Sequence, residues 1–259
     1  MLEAPQRLVL KKVPVPTPKP DEVLVRVGAC GICGSDVRYF YGENPWALHT
    51  LGVEEDMPPN VILGHEVSGT VIEAGSEASK SMVGERVGIL AFKSCGKCYY
   101  CRRGLHNLCA SMLHLGHDGR WRGVEYIPGG FAEYMPAWND KVYPIPPHIS
   151  FEEATQLDGL GVAVHATSRG EIKPGDTVVI IGQGPIGLMT LQVARVRGAT
   201  TVIAVDVREK PLDVALKLGA TTALDNRRDD VIKEVLRLTS GEGVDVVIDT
   251  VGSIDTISQ

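Results

Sequence analysis

Thr177-Val178-Val179-Ile180-Ile181-Gly182-Gln183-Gly184-Pro185-Ile186-Gly187 is an apolar run feeding directly into a G-x-G-x-x-G turn. The run reads as a buried strand. Glycine turns are common, so the motif alone says little. Here it follows a strand, opens a helix over Leu188 to Arg197, and precedes a second strand, Thr201 to Asp206, whose terminal acid lies 19 residues beyond Gly187. That sequence of features is the full dinucleotide fingerprint. Gly182, Gly184 and Gly187 let the backbone approach a pyrophosphate, whose charge meets the helix N-terminus opened by Pro185 and Ile186. Asp206 is suited to accept hydrogen bonds from the adenosine ribose hydroxyls and to repel the extra phosphate of NADP, so NAD is the expected cofactor. Arg208 is left with three readings: stacking on adenine, tolerating a 2′-phosphate, or starting a helix in solvent.

Downstream, a helix over Lys210 to Leu218 ends at Gly219, a C-cap residue. A strand at Thr222 to Leu224, a helix near Asp230 to Leu238 and a strand at Val244 to Asp249 complete four βα units. The usual strand order 3-2-1-4-5-6 calls for two more strands after Gly252. The expected fold is therefore a Rossmann doubly wound parallel sheet, incomplete at the C-terminus, with its last strand left as an exposed edge.

Upstream the pattern changes. Glu22-Val-Leu-Val-Arg-Val27 alternates apolar and polar residues, and other short strands up to about Pro144 suggest a small β-barrel. Within it, Gly64-His65-Glu66 sets an imidazole beside a carboxylate just before a glycine-punctuated apolar segment. Neighbouring side chains on a true strand point to opposite faces, so these two can converge on one ion only at a strand end or turn. Gly64 permits that turn. By itself the triplet could equally be a solvated strand end.

The chain has six cysteines in 259 residues. Without a signal-peptide core in Met1 to Lys12, the expected location is cytoplasmic, where cysteines serve metal or redox chemistry rather than a disulfide framework. Cys95, Cys98, Cys101 and Cys109 form a C-x2-C-x2-C-x7-C cluster, with Gly96 and Gly104 allowing a tight lobe. Four thiolates can wrap one zinc ion with no open position, which makes the site structural; an iron–sulfur cluster is the competing use. Cys30 and Cys33 form a C-x-x-C pair, but no thioredoxin-like strand-turn-helix context surrounds it, and Cys33 reads better as a metal thiolate beside Ser35. A net charge of −6 without a basic cluster argues against nucleic acid, and no apolar run reaches membrane-spanning length.

Cys33-Gly34-Ser35-Asp36, Gly64-His65-Glu66-x2-Gly69-x5-Gly75, the four-cysteine lobe, Gly129-Gly-Phe-Ala-Glu-Tyr134 and the nucleotide motif occur in one order, and the chain resembles the zinc-containing medium-chain dehydrogenase/reductase family of alcohol, polyol and threonine dehydrogenases. The resemblance implies a GroES-like catalytic β-barrel over residues 1–151 and an NAD-binding Rossmann domain over residues 152–259. It implies two zinc ions per chain, with Cys33, His65 and Glu66 at the catalytic zinc and Asp158 at a fourth ligand position; Asp158 is alternatively a helix-turn residue or reaches the metal through water. It further implies hydride transfer from an alcohol, best a polyol or sugar alcohol, to NAD, with Ser35 passing the alcohol proton outward. Where the family often has a relay histidine this chain has Arg38, which does not titrate near neutral pH. Tyr39 matches a substrate-pocket position of polyol-type relatives, and Trp46, His49 and Glu54 lie on a long loop of the kind that carries specificity. His165 is expected to pack at an interface rather than to ligate metal. Homo-oligomers are the rule in the family. Threonine or an aliphatic alcohol is the alternative substrate, and a catalytically silent zinc- and nucleotide-binding fragment is the alternative of another class.

Overall fold

The computed structural model describes residues 1–117, 119–120, 123 and 125–258, apart from the side chains of 49–51, so that of His49 lies outside the described residues. The chain divides into two compact units, Met1–Asp158 and Gly159–Gln259.

In the first unit, β1 (Leu2–Ala4) and β2 (Arg7–Leu8) form a small antiparallel pair. β3 (Glu22–Gly31) is followed by α1 (Gly34–Phe40), and then come β4 (Glu66–Ala74), β5 (Arg86–Ile89), β6 (Phe92–Lys93), β7 (Leu113–His114), β8 (Tyr134–Trp138) and β9 (Val142–Pro144). Five of these make an antiparallel sheet in the order β8-β3-β4-β5-β9. The alternation expected of Glu22–Val27 appears only from Arg26 on, because Glu22 and Leu24 are buried as well as Val23 and Val25. Val23, Val25, Val67, Val71, Val87 and Met135 enter one core, each at most 2% exposed. Burying an aliphatic side chain of this size stabilises by roughly 1.5–3 kcal/mol.

The first unit extends past residue 151 because the segment after β9 is fastened to the sheet. Ser68 Oγ donates to the Phe151 carbonyl at 2.6 Å, Arg86 stacks over the Phe151 ring at 4.6 Å, and Arg86 Nη2 donates to the Ile149 carbonyl at 2.7 Å. A short helix, α2 (Phe151–Ala154), follows. Its N-terminus is closed by a reciprocal capping box between Ser150 and Glu153, so Glu153 caps as well as meeting the helix dipole. α3 (Leu157–Arg169) carries the chain onward, and His165 on it is exposed in the single chain.

The second unit is a parallel sheet of β10 (Thr177–Ile181), β11 (Thr201–Asp206), β12 (Thr222–Asp225) and β13 (Val246–Asp249), with α4 (Pro185–Val196), α5 (Glu209–Lys217), α6 (Val231–Leu238) and α7 (Ile254–Ile257) between and after the strands. The strand order β12-β11-β10-β13 is the 3-2-1-4 half of the doubly wound fold. The unbroken apolar run of β10 has a simple cause: Val178 and Ile180 enter one core with Leu191 and Leu212, while Val179 and Ile181 enter the opposite core with Val231. A strand buried on both faces needs no polar alternation. Among the described residues β13 pairs with β10 alone, leaving it at the sheet edge.

Candidate metal centre and nucleotide site

Gly64 makes the turn that the adjacent imidazole and carboxylate require. Its φ is +94°, β4 begins only at Glu66, and His65 is therefore released from strand geometry. A side chain at 64 would also meet the Phe131 ring at 2.6 Å and Cys30 Sγ at 2.7 Å. On the neighbouring strand, Gly31 pairs with Glu66, and a Cβ at 31 would overlap Glu66 Oε2. Two glycines thus make room for the carboxylate and the histidine beside Cys33, the N-cap of α1. One donor atom each from Cys33, His65 and Glu66 falls within 4.8 Å of the others.

Asp36 holds this arrangement together. Its buried carboxylate accepts from the Cys33 amide at 2.9 Å and from the Gly64 amide at 3.1 Å, tying the two ligand-bearing loops to each other. Its Oδ1 also lies 3.9 Å from His65 Nδ1, a buried nitrogen with no hydrogen-bond partner among the described residues. In the sequence Asp36 stands at the end of Cys33-Gly34-Ser35-Asp36 with no spacing that assigns it a task.

The electrostatics describe a site short of positive charge. Burial opposes the imidazolium of His65, yet Cys33 and Asp36 outweigh it and raise His65 to about 9. Burial likewise opposes ionisation of Cys33, and His65 and Ser35 overcome it, bringing the thiol below its ordinary value. Glu66, Asp36 and Asp158 are all pushed upward, by burial first. One base stands among four acidic groups, a donor set of thiolate, imidazole and carboxylate that a divalent cation such as zinc would satisfy. Asp158 is within electrostatic reach of His65 and Glu66 but outside the trio of converging donor atoms. It stands on the first turn of α3. Cys30, by contrast, is pushed up to about 12 by burial, which suits an inert packed thiol and not a redox partner.

Two histidines that sequence reasoning missed complete the surroundings. His117 is buried, with Nε2 3.5 Å from Ser35 Oγ, and its ring centroid is 4.8 Å from that of His65. His114 stacks on it at 4.0 Å and 8°. Arg38 instead pairs with Glu43 at 3.7 Å. Tyr39 is fully buried: its hydroxyl donates to Asn44 Oδ1 at 3.2 Å and its ring packs 5.1 Å from His117, so it supports the wall of the site from the core. Trp46 is buried in the same wall, whereas Glu54 lines a separate acidic recess with Glu43, Glu55 and Asp56.

The four-cysteine lobe comes together from one contiguous segment. Donor atoms of Cys95, Cys98, Cys101 and Cys109 lie within 4.8 Å of one another, and Gly96 and Gly104 sit at φ +71° and +78°. Amides of Cys95 and Ser111 donate to Cys109 Sγ at 3.2 and 3.4 Å. Backbone amides of Cys101 and Ala110 hold Cys98 down to about 6, as thiolate ligation requires. With four sulfurs and no other group converging, the set fits a closed tetrahedral zinc.

In the second unit the glycines of the fingerprint have separate tasks. Gly182 has φ +86°, and a Cβ at Gly187 would overlap the Gly182 carbonyl. A Cβ at Gly184 would meet no protein atom within 4 Å, leaving room at the N-terminus of α4, which has Pro185 at its first position and no side-chain cap. Ile186 follows in the first turn. Asp206, at the end of β11, accepts from the Gln183 amide at 2.7 Å and the Arg208 amide at 2.9 Å. Arg208 reaches back with Nε at 3.1 Å and Nη2 at 3.3 Å, so its guanidinium is held by the same carboxylate.

Residues 19–147 match the model of the alcohol dehydrogenase GroES-like domain, and residues 185–259 that of the zinc-binding dehydrogenase domain. Sorbitol dehydrogenase of Bacillus subtilis is 35% identical over 248 residues, covering 96% of this chain and 66% of its own length. L-threonine 3-dehydrogenase of Pyrococcus abyssi is 37% identical over 250 residues, covering 96% of this chain and 67% of its own length. Among solved structures, a zinc-binding dehydrogenase of Sinorhizobium meliloti 1021 bound to NADP superimposes with a TM-score of 0.86 at 34% identity, covering 98% of this chain and 70% of that one. The fold and the two thiolate sites define a zinc-type oxidoreductase. The chain belongs to the zinc-containing medium-chain dehydrogenase/reductase family. It spans about two thirds of the length of these curated relatives. Zinc and NAD(P) are the cofactors expected of that family. No helix among the described residues is long and apolar enough to cross a membrane.

Proposed function

We propose that this protein is a zinc-dependent, NAD-linked dehydrogenase whose substrate is a polyol or sugar alcohol. The observation that carries the reading is the convergence of Cys33, His65 and Glu66 in a buried, anion-rich site. Zinc bound there would supply a Lewis acid for the alcohol oxygen, and NAD would supply the hydride acceptor. Cys33, His65 and Glu66 would hold the metal, and Asp36 locks the two loops that carry them. Ser35 Oγ takes the alcohol proton outward. Asp158 adds negative charge close to His65 and would be available to the metal as a further carboxylate. The cysteine lobe would hold a second zinc, making two per chain.

Asp206 supports NAD over NADP. Its carboxylate holds the guanidinium of Arg208, which is thereby committed to Asp206. The sorbitol dehydrogenase relative favours a polyol. The threonine dehydrogenase relative supports an amino alcohol as the second reading.

The test is an NAD-linked screen of polyols, L-threonine and aliphatic alcohols, with zinc content measured on the same preparation. Polyol oxidation with two zinc equivalents is expected. NADP reduction at least as efficient as NAD reduction would remove the cofactor assignment, and one zinc with no turnover of any alcohol would favour the silent module.

A further inference from the structure

The paired histidines of the wall have a geometry that the metal site does not explain. His114 Nδ1 lies 2.8 Å from the Leu115 carbonyl. A carbonyl can only accept, so Nδ1 carries the proton and Nε2 presents a lone pair. Nε2 has no hydrogen-bond partner among the described residues and is not a buried orphan. The ring cannot turn freely, since it stacks on His117 at 8° and packs 6.1 Å from Trp46. It also lies edge-on to His65, with centroids 5.3 Å apart. Tyr39, Trp46 and His117 around Ser35 and His65 are buried, whereas His114 is partly exposed.

We propose that His114 is a specificity-determining residue whose Nε2 accepts a hydrogen bond from a substrate hydroxyl other than the one being oxidised. This rests on the polyol reading above and adds a residue to it. A monohydric alcohol has no hydrogen to offer this acceptor, and binding it would strip water from Nε2 without replacement. Sites built to bond a hydroxyl discriminate strongly against the analogue that lacks it. His117 is a positioning residue here: buried and within 3.5 Å of Ser35 Oγ, it fixes the plane on which His114 lies.

The test uses the zinc-loaded full chain and a substrate pair differing by one hydroxyl, 2,3-butanediol and 2-butanol. His114→Phe keeps a stacking ring and removes the acceptor; His114→Gln restores an acceptor oxygen. Expected in the Phe variant is a fall in kcat/KM for the diol of about tenfold or more, mostly in KM, with 2-butanol changed less than about threefold and the diol recovered largely by Gln. In the unsubstituted protein, the ¹⁵N resonance of His114 Nε2 should move on adding diol and stay still on adding 2-butanol, a readout independent of turnover and of whether the variants fold. Parallel losses for both alcohols, an unchanged ratio, or an unmoved resonance at saturating diol overturns the proposal while polyol turnover by the unsubstituted protein leaves the underlying reading intact. Oxidation of 2-butanol without any diol turnover removes both.

Discussion

The cysteine lobe and the Cys33–His65–Glu66 cluster both gather metal donors within 4.8 Å, and they do so by opposite means. The lobe draws four sulfurs from residues 95–109, a single segment turned by two left-handed glycines. The cluster draws its donors from two loops more than thirty positions apart, joined by one buried carboxylate. The lobe is chemically uniform and closed; the cluster is mixed, short of positive charge and only partly buried at Cys33 and Glu66. The first is a staple that metal completes. In the second, the fold supplies most of the organisation before metal arrives.

Substitutions should separate the two. The largest effect is expected at Cys33→Ala, where kcat/KM falls about a thousandfold or more, one zinc equivalent is lost by elemental analysis, and calorimetric NAD affinity stays within about twofold. Asp36→Asn should weaken the cluster's zinc by about 10–100-fold in competition with a chelator, leaving the lobe's zinc in place; loss of both ions together would erase the distinction drawn here. Gly64→Ala forces a side chain into a left-handed backbone and against Phe131 and Cys30, and should cost roughly 1–3 kcal/mol in urea unfolding. The smallest effect on turnover belongs to Cys98→Ser. It should release the lobe's zinc and lower Tm by roughly 5–10 °C, while activity per folded molecule at 25 °C changes less than about threefold. A Cys98→Ser variant that folds normally yet is inactive would give the lobe a catalytic task.

What the sequence made legible follows the same division. The lobe, the His65–Glu66 turn and the nucleotide fingerprint were readable because each is local: a spacing, a glycine, a terminal acid. Strand order in the second unit followed from the repeated βα pattern, and the apolar run of β10 from burial on both faces. What escaped is long-range. Asp158 has the chemistry of a ligand, but its distance from the trio depends on how α3 starts, which spacing does not encode. Tyr39 looked like a pocket residue, and its burial depends on packing with Leu2, Met57 and Leu63, distant in sequence. His114 and His117 belong to no motif, at β7 and in the turn beyond it. The departure at Arg38 was the available clue that polar groups around Ser35 would have to come from elsewhere.

Asp36 also links the motions of the two loops. Because one carboxylate occupies the amides of both Cys33 and Gly64, neither loop can open without exposing a buried charge. The two amides should then exchange with deuterium as a single cooperative step, and metal should leave by a concerted parting of the loops instead of by successive release of ligands. Stabilising α1 should then slow zinc loss without touching a ligand.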